Sequence, residues 1–168
     1  MSENYTRFFI REIDCFNEII IENIAKVYSY NNPGSHEGIK DFWYDWFSNK
    51  IQGEKLTIIA TETSGEIIVG VVRFWNSPYL ENKWLIEGIE TIPQMRRLGI
   101  ARSLIKHGLS ILKNRGIQEV SANISRRNIA SIKLHESFGF EKVSTGTINS
   151  LGEYRGNSDE YKVSLGKK

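Results

Sequence analysis

The chain has 168 residues, of which 40% are hydrophobic and 25% charged, the balance of an ordinary folded domain that needs no covalent staples. Lys and Arg number 22 against 20 Asp and Glu, and the resulting net charge of +2 excludes a dedicated nucleic-acid binder. Cys15 is the only cysteine, which excludes an internal disulfide or a cysteine-based metal cluster, and no apolar run approaches the about 18 residues that a membrane helix requires.

The opening segment, MSENYTRFFI, lacks a signal-peptide layout, which makes the cytoplasm the default compartment. Thr6 to Glu12 predicts a first strand. Asp14 predicts the N-cap of a helix running to about Tyr30, with Phe16, Ile19, Ile20, Ile24 and Val27 spaced for one face. Cys15 falls in its first turn, where the expected role is that of a small core residue. Asn31-Asn32-Pro33-Gly34-Ser35 is a loop by composition.

A second helix is predicted over Glu37 to Lys50. Phe42, Trp43, Trp46 and Phe47 fall at the i, i+4 spacing of a core or pocket wall. Glu37, Asp41 and Asp45 form an acidic stripe on it, either a solvated face or an attractor for a cationic ligand. Lys55 to Thr61 and Glu66 to Trp75 read as two strands joined by the hairpin signal Glu62-Thr63-Ser64-Gly65, and Asn76-Ser77-Pro78 breaks the chain after them.

The stretch from Trp84 to Arg115 is the most informative. Leu85, Ile86, Ile89 and Ile92 suit a largely buried strand, which Pro93 ends because it has no donor. The run Arg96-Arg97-Leu98-Gly99-Ile100-Ala101 then opens a helix whose apolar positions recur at Ile100, Leu104, Ile105, Leu109, Ile111 and Leu112 and which closes on Gly116. The first amides of a helix have no intrahelical partner and sit at the positive end of its dipole. With Gly99 allowing close approach and Arg96, Arg97 and Arg102 adding charge, the turn is built to hold a small polyanion. Ile117 to Ser125 predicts another strand, Asn128 caps a helix to about Phe138, and Phe140 to Ile148 and Asp159 to Leu165 predict two final strands around the polar loop Asn149 to Gly156. The order is β-α-α-β-β-β-α-β-α-β-β in one domain over residues 1–168, an α/β arrangement with helices on a mixed sheet.

Pro93-Gln94-Met95-Arg96-Arg97-Leu98-Gly99-Ile100-Ala101 resembles the acetyl-CoA pyrophosphate loop of the GNAT N-acetyltransferases, Arg/Gln-x-x-Gly-x-Gly/Ala. Farther on, Asn128-x-x-Ser131-x-x-Leu134-His135-x-x-x-Gly139-Phe140 is similar to that family's Asn-x-x-Ala-x-x-Leu-Tyr-x-x-x-Gly-Phe, in the right order and at the right distance. The resemblance implies the GNAT fold: a central, mostly antiparallel sheet of six or seven strands with about four helices, splayed at a central parallel pair. It further implies acetyl-CoA as cosubstrate; no metal, nucleic-acid or membrane partner is expected, because metal-ligand spacing, a strong basic excess and a long apolar run are all missing from the sequence. The acceptor is then an amine of a small molecule or peptide, and a homodimer is open because some members pair through their last strands. An alternative is a sensor of the same fold that keeps the cofactor site without acceptor chemistry.

The family reaction is direct attack of an amine on the thioester. By resemblance, the cofactor is held by Arg96, Arg97, Leu98, Gly99, Ile100, Ala101 and Arg102, by Asn128 and Ser131, and by the strand amides of Ile89 and Thr91, the oxyanion donor lying near Thr91. Glu87 and Glu90 are the candidate bases. Period 2 places them on opposite strand faces unless Gly88 marks a bulge, and Glu87 stands where several family members keep a water-linked base. His135 replaces the tyrosine that many members offer as acid to the departing thiolate. Its ordinary pKa of about 6.5 makes it either a stronger acid than tyrosine or a spectator. The acceptor is left unnamed, with Asn31 to Lys50 and Asn149 to Gly156 as the segments expected to select it.

Overall fold

The computed structural model describes residues 8–166. Among the described residues, seven strands and four α-helices follow one another as β1 (Phe8–Ile13), α1 (Glu18–Ser29), α2 (His36–Phe47), β2 (Glu54–Glu62), β3 (Ile68–Asn76), β4 (Trp84–Thr91), α3 (Ile100–Asn114), β5 (Glu119–Ser125), α4 (Ile129–Glu136), β6 (Glu141–Ile148) and β7 (Tyr154–Ser164). The strands hydrogen-bond in the order β1-β2-β3-β4-β5-β7-β6. β1/β2, β5/β7 and β6/β7 are antiparallel, and β4/β5 is parallel with Leu85 opposite Ser121. The mixed sheet and element order expected from the sequence are therefore present. Thr6, the expected start of the first strand, and the opening residues read for a signal peptide lie outside the described residues.

Local boundaries moved for identifiable reasons. Helix α1 starts at Glu18, four residues after Asp14, because Asn17, not Asp14, caps it: the Asn17 side chain accepts from the Ile20 amide at 2.9 Å. Phe16 stays outside the helix and stacks on Phe47 at 5.4 Å. Cys15 is consequently exposed, which overturns its expected core role. Strand β7 starts at Tyr154, inside the predicted loop, with Tyr154 opposite Ile148 and Arg155 opposite Thr147.

The chain forms two compact units. One takes in the described residues up to Ile51, Leu56–Val72 and Gly88–His107; the other takes in Gln52–Lys55, Arg73–Glu87 and the chain from Gly108 onward. In the first, Ile21, Ile24, Trp43, Trp46, Leu56, Ile58 and Leu104 are buried. The indole N–H of Trp46 donates to the Thr57 hydroxyl at 2.8 Å, so its one polar atom is satisfied inside the core. Trp43 and Trp46 are thus core residues and not the acceptor-facing surface the sequence left open. Gly70 of β3 lets the start of α3 lie close: a Cβ there would stand 2.7 Å from the Ile100 side chain.

In the second unit Phe74, Leu85, Leu112, Val120 and Phe140 are buried. Gly108 of α3 faces the Phe74 ring, which a Cβ would meet at 2.1 Å. The β6/β7 ladder carries register shifts around Gly146, and Asp159 of β7 fastens them. Its carboxylate accepts from Arg126, from the Gly146 amide at 3.0 Å and from Lys142 at 3.2 Å. The Arg126 guanidinium first, then the Gly146 amide, hold its pKa down to about 2.

Candidate functional site

The loop between β4 and α3 is set by backbone conformation. Pro93–Met95 makes one 3-10 turn, Arg96 is extended, and Arg97 and Gly99 both take left-handed φ, +64° and +82°. Such a φ is uncommon for arginine and marks a backbone that the surrounding structure holds in place. Helix α3 begins at Ile100, anchored by a side chain that is 1% exposed, and Ser103 N–H donates to the Gly99 carbonyl at 3.0 Å. The N–H groups that open a helix have no acceptor within it, and Ile100 and Ala101 open this one. Gly99 is exposed, and where its Cβ would stand nothing lies within 4 Å. Arg96, Arg97, Leu98 and Arg102 are exposed and Ala101 is half-buried. A bulky anion has room to approach the main chain here, and two or three guanidinium groups within reach in sequence.

The same unit joins α1 to β4. Gly88 takes left-handed φ, +61°, between Glu87 and Glu90. The Tyr28 hydroxyl donates to the Gly88 carbonyl at 2.5 Å, and the Asn31 amide donates to Glu90 Oε2 at 2.7 Å. The Asn31 carbonyl oxygen in turn accepts from Arg96 Nη2 at 2.6 Å. Burial pushes the Glu90 carboxyl above its ordinary range, and the Asn31 hydrogen bond and the Arg96 charge partly oppose it. Ile89 is half-buried, and Thr91 is buried with a hydroxyl that finds no partner among the described residues.

Glu87 belongs to the other unit. Its Oε2 accepts from the Ser150 hydroxyl at 3.2 Å and lies 3.7 Å from Arg73 Nη2. Its Oε1 is buried without a hydrogen-bond partner among the described residues. An orphaned carboxylate oxygen is costly in a folded chain, and reaction chemistry is one of the standing reasons for keeping one. Ser150 is itself tied down, since its carbonyl accepts from the Ser77 hydroxyl at 2.5 Å.

Also in this unit, Asn128 caps α4 by accepting from Ser131 N–H at 3.1 Å. His135 is 3% exposed and sits edge-on to Phe140 with ring centroids 5.1 Å apart. Its Nδ1 lies 2.7 Å from the Ser131 carbonyl, an acceptor only, so the ring proton resides on Nδ1. Burial lowers the imidazole pKa, the hydrogen bond to Ser131 opposing it. At neutral pH the ring is uncharged and Nε2 bears no proton to give. Of the two roles left open for His135, acid or spectator, a buried ring with Nδ1 against a main-chain carbonyl has the setting of the spectator. A depressed histidine pKa means that the unfolded chain binds the proton more readily, so the stability it contributes is complete above about pH 6.5 and erodes as pH falls below. His135→Phe is therefore expected to keep wild-type turnover at pH 7.5 and to lose less melting temperature than wild type between pH 6.5 and 5. A large drop in turnover at pH 7.5 would return the residue to the mechanism.

Along the acidic stripe of α2, Glu37 and Asp41 are exposed and Asp45 lies 3.8 Å from Lys50, the pattern of a solvated face. Tyr28, Asn31, Arg73 and Ser150 escaped the sequence reading. Only Arg73 carried a signal, as the one charged residue in the apolar strand Ile-Val-Gly-Val-Val-Arg-Phe-Trp.

Residues 19–140 match the family described as Acetyltransferase (GNAT) family. Aminoglycoside N(6')-acetyltransferase type 1 of Salmonella typhimurium is 35% identical over 58 residues, 34% of this chain and 40% of that protein. The protein of the same description from Klebsiella aerogenes is 28% identical over 105 residues, 60% of this chain and 68% of that protein. The chain thus spans only about 40% of the length of the first of these relatives. The paia N-acetyltransferase of Thermoplasma acidophilum, solved in complex with coenzyme A, has a similar fold, with a TM-score of 0.64 at 16% identity over 94% of this chain and 99% of that one. Among the described residues no helix is long and apolar enough to cross a membrane.

Proposed function

The chain belongs to the acetyltransferase (GNAT) family, and from that premise we propose that it is an acetyl-CoA-dependent N-acetyltransferase acting in the cytoplasm on a primary amine of a small cationic molecule. The observation that carries the reading is the loop from Arg96 to Ala101: two left-handed residues and an open Gly99 at the head of α3, flanked by arginines. These groups hold the diphosphate, each charge-assisted hydrogen bond contributing about 1.5–3 kcal/mol. The main chain of Ile89 and Thr91 pairs with the pantetheine arm and supplies the oxyanion donor. Acetyl-CoA, when bound, supplies an activated acyl thioester.

Glu87 removes the proton from the amine or from a water beside it. The orphaned Oε1 supports this assignment, and Arg73 and Ser150 fix the other oxygen. Glu90 is the second candidate, favoured by burial that raises its carboxyl toward the range of a base working near neutrality. No side chain is assigned to protonate the thiolate, which solvent serves. Relatives named for aminoglycosides support the acceptor class.

A thiol-release assay with acetyl-CoA and a panel of aminoglycosides, simple diamines, amino acids and peptide N-termini tests the proposal. Saturable release with an aminoglycoside or polyamine is the expected outcome. CoA binding without turnover on any amine would instead make the protein a sensor, and saturation by peptides alone would replace the small-molecule acceptor.

A further inference from the structure

We propose that Asn31 is a positioning residue for the diphosphate loop, acting by standing between Arg96 and Glu90. The inference rests on the reading that residues from Arg96 to Ala101 hold the cofactor's diphosphate. Asn31 comes from the turn after α1, yet its amide donates to Glu90 Oε2 at 2.7 Å and its carbonyl accepts from Arg96 Nη2 at 2.6 Å. Among the described residues no direct ion pair joins Glu90 to Arg96; one neutral carboxamide satisfies both charged groups and keeps them apart. The primary amide suits this task because it offers a donor on one side and an acceptor on the other.

The arrangement leaves Arg96 available. A guanidinium has five N–H donors, and a single hydrogen bond to Asn31 fixes its direction while the others stay free for phosphate oxygens. Without Asn31, a carboxylate half-buried on β4 and an exposed guanidinium are drawn to each other, and a bidentate pair with Glu90 takes Arg96 away from an anion at the head of α3. The turn that carries Asn31 is well placed to resist that collapse, because Tyr28, one helical turn earlier, bonds the Gly88 carbonyl two residues before Glu90. Tyr28 and Asn31 thus grip β4 on either side of Ile89.

The test compares CoA with pantetheine, which lacks the diphosphate, by calorimetric titration of the intact protein. Wild type is expected to bind CoA much more tightly than pantetheine. Asn31→Ala weakens CoA by about tenfold, the loss of one well-aimed charge-assisted contact, and leaves pantetheine unchanged. Adding Glu90→Gln removes the competing carboxylate and restores CoA affinity to within about threefold of wild type. That rescue separates positioning from mere support of the loop, which a second substitution has no reason to repair. Unchanged CoA affinity in Asn31→Ala, equal weakening of both ligands, or no rescue by Glu90→Gln each overturns the inference while the diphosphate reading stands. Equal affinity of the wild type for CoA and pantetheine sinks the diphosphate reading itself, and the inference with it.

Discussion

Glu87→Gln is expected to lower kcat by roughly 100-fold or more near pH 7, within the range ascribed to general acid–base catalysis, and to leave CoA affinity unchanged. The size of the effect follows from the acceptor. An amine with a pKa near 10.4 costs about 4.6 kcal/mol to neutralise at pH 7, at 1.36 kcal/mol per unit, and attack on a thioester requires the neutral form. Glutamine keeps the shape and can still accept from the Ser150 hydroxyl, but it takes no proton. The ratio of wild-type to variant rate should therefore be greatest at low pH and shrink as pH rises toward the amine's own pKa, where the free base is supplied by solution. Steady-state kinetics from pH 6 to 10, beside the same series for Glu90→Gln, decides between the carboxylates. A Glu87→Gln enzyme with wild-type rates throughout, together with a crippled Glu90→Gln, moves the base to Glu90.

What could be read from the sequence was what repeats. The 3.6-residue period of α3 announced Ile100, Leu104, Ile105 and Leu112, all of which are buried, and the turn residues between strands gave the element order correctly. Errors arose where tertiary contacts outrank local preference. Asp14 and Asn17 are comparable caps in isolation; Phe16 packing against Phe47 and Tyr44 selects the later one and leaves Cys15 in solvent. The start of β7, Tyr-Arg-Gly-Asn-Ser, has no apolar alternation because it is exposed, and only its pairing with β6 makes it a strand. The motif residues of the loop were visible, but their conformation was not, since nothing about an arginine at position 97 foretells φ +64°. Contacts between residues distant in the chain were hidden altogether: Asn31 to Arg96 spans 65 positions and Ser150 to Glu87 spans 63. His135 was read by its place in a motif, whereas its surroundings, a carbonyl and a phenyl ring, decide its protonation.

Gly99→Val is expected to abolish measurable CoA stabilisation while leaving a folded protein. Two consequences of one substitution separate here. A Cβ at this position meets no protein atom within 4 Å, and the expected cost to the fold is the strain of a left-handed residue, about 1–2 kcal/mol. That corresponds to a fall of roughly 2–8 °C in melting temperature for a chain of this size. Under the proposed function, the space the side chain enters is the space through which the diphosphate reaches the head of α3. Losing two charge-assisted contacts of about 1.5–3 kcal/mol each weakens binding by at least about 100-fold, at 1.4 kcal/mol per tenfold. Gly99→Asn separates strain from occlusion, because asparagine tolerates the left-handed region yet still projects a side chain. Thermal shift and calorimetry with CoA should show Asn close to wild type in intrinsic melting temperature and close to Val in affinity. If Gly99→Val binds CoA within about threefold of wild type, the loop is not where the diphosphate sits, and the family's cofactor is held in this protein by other groups.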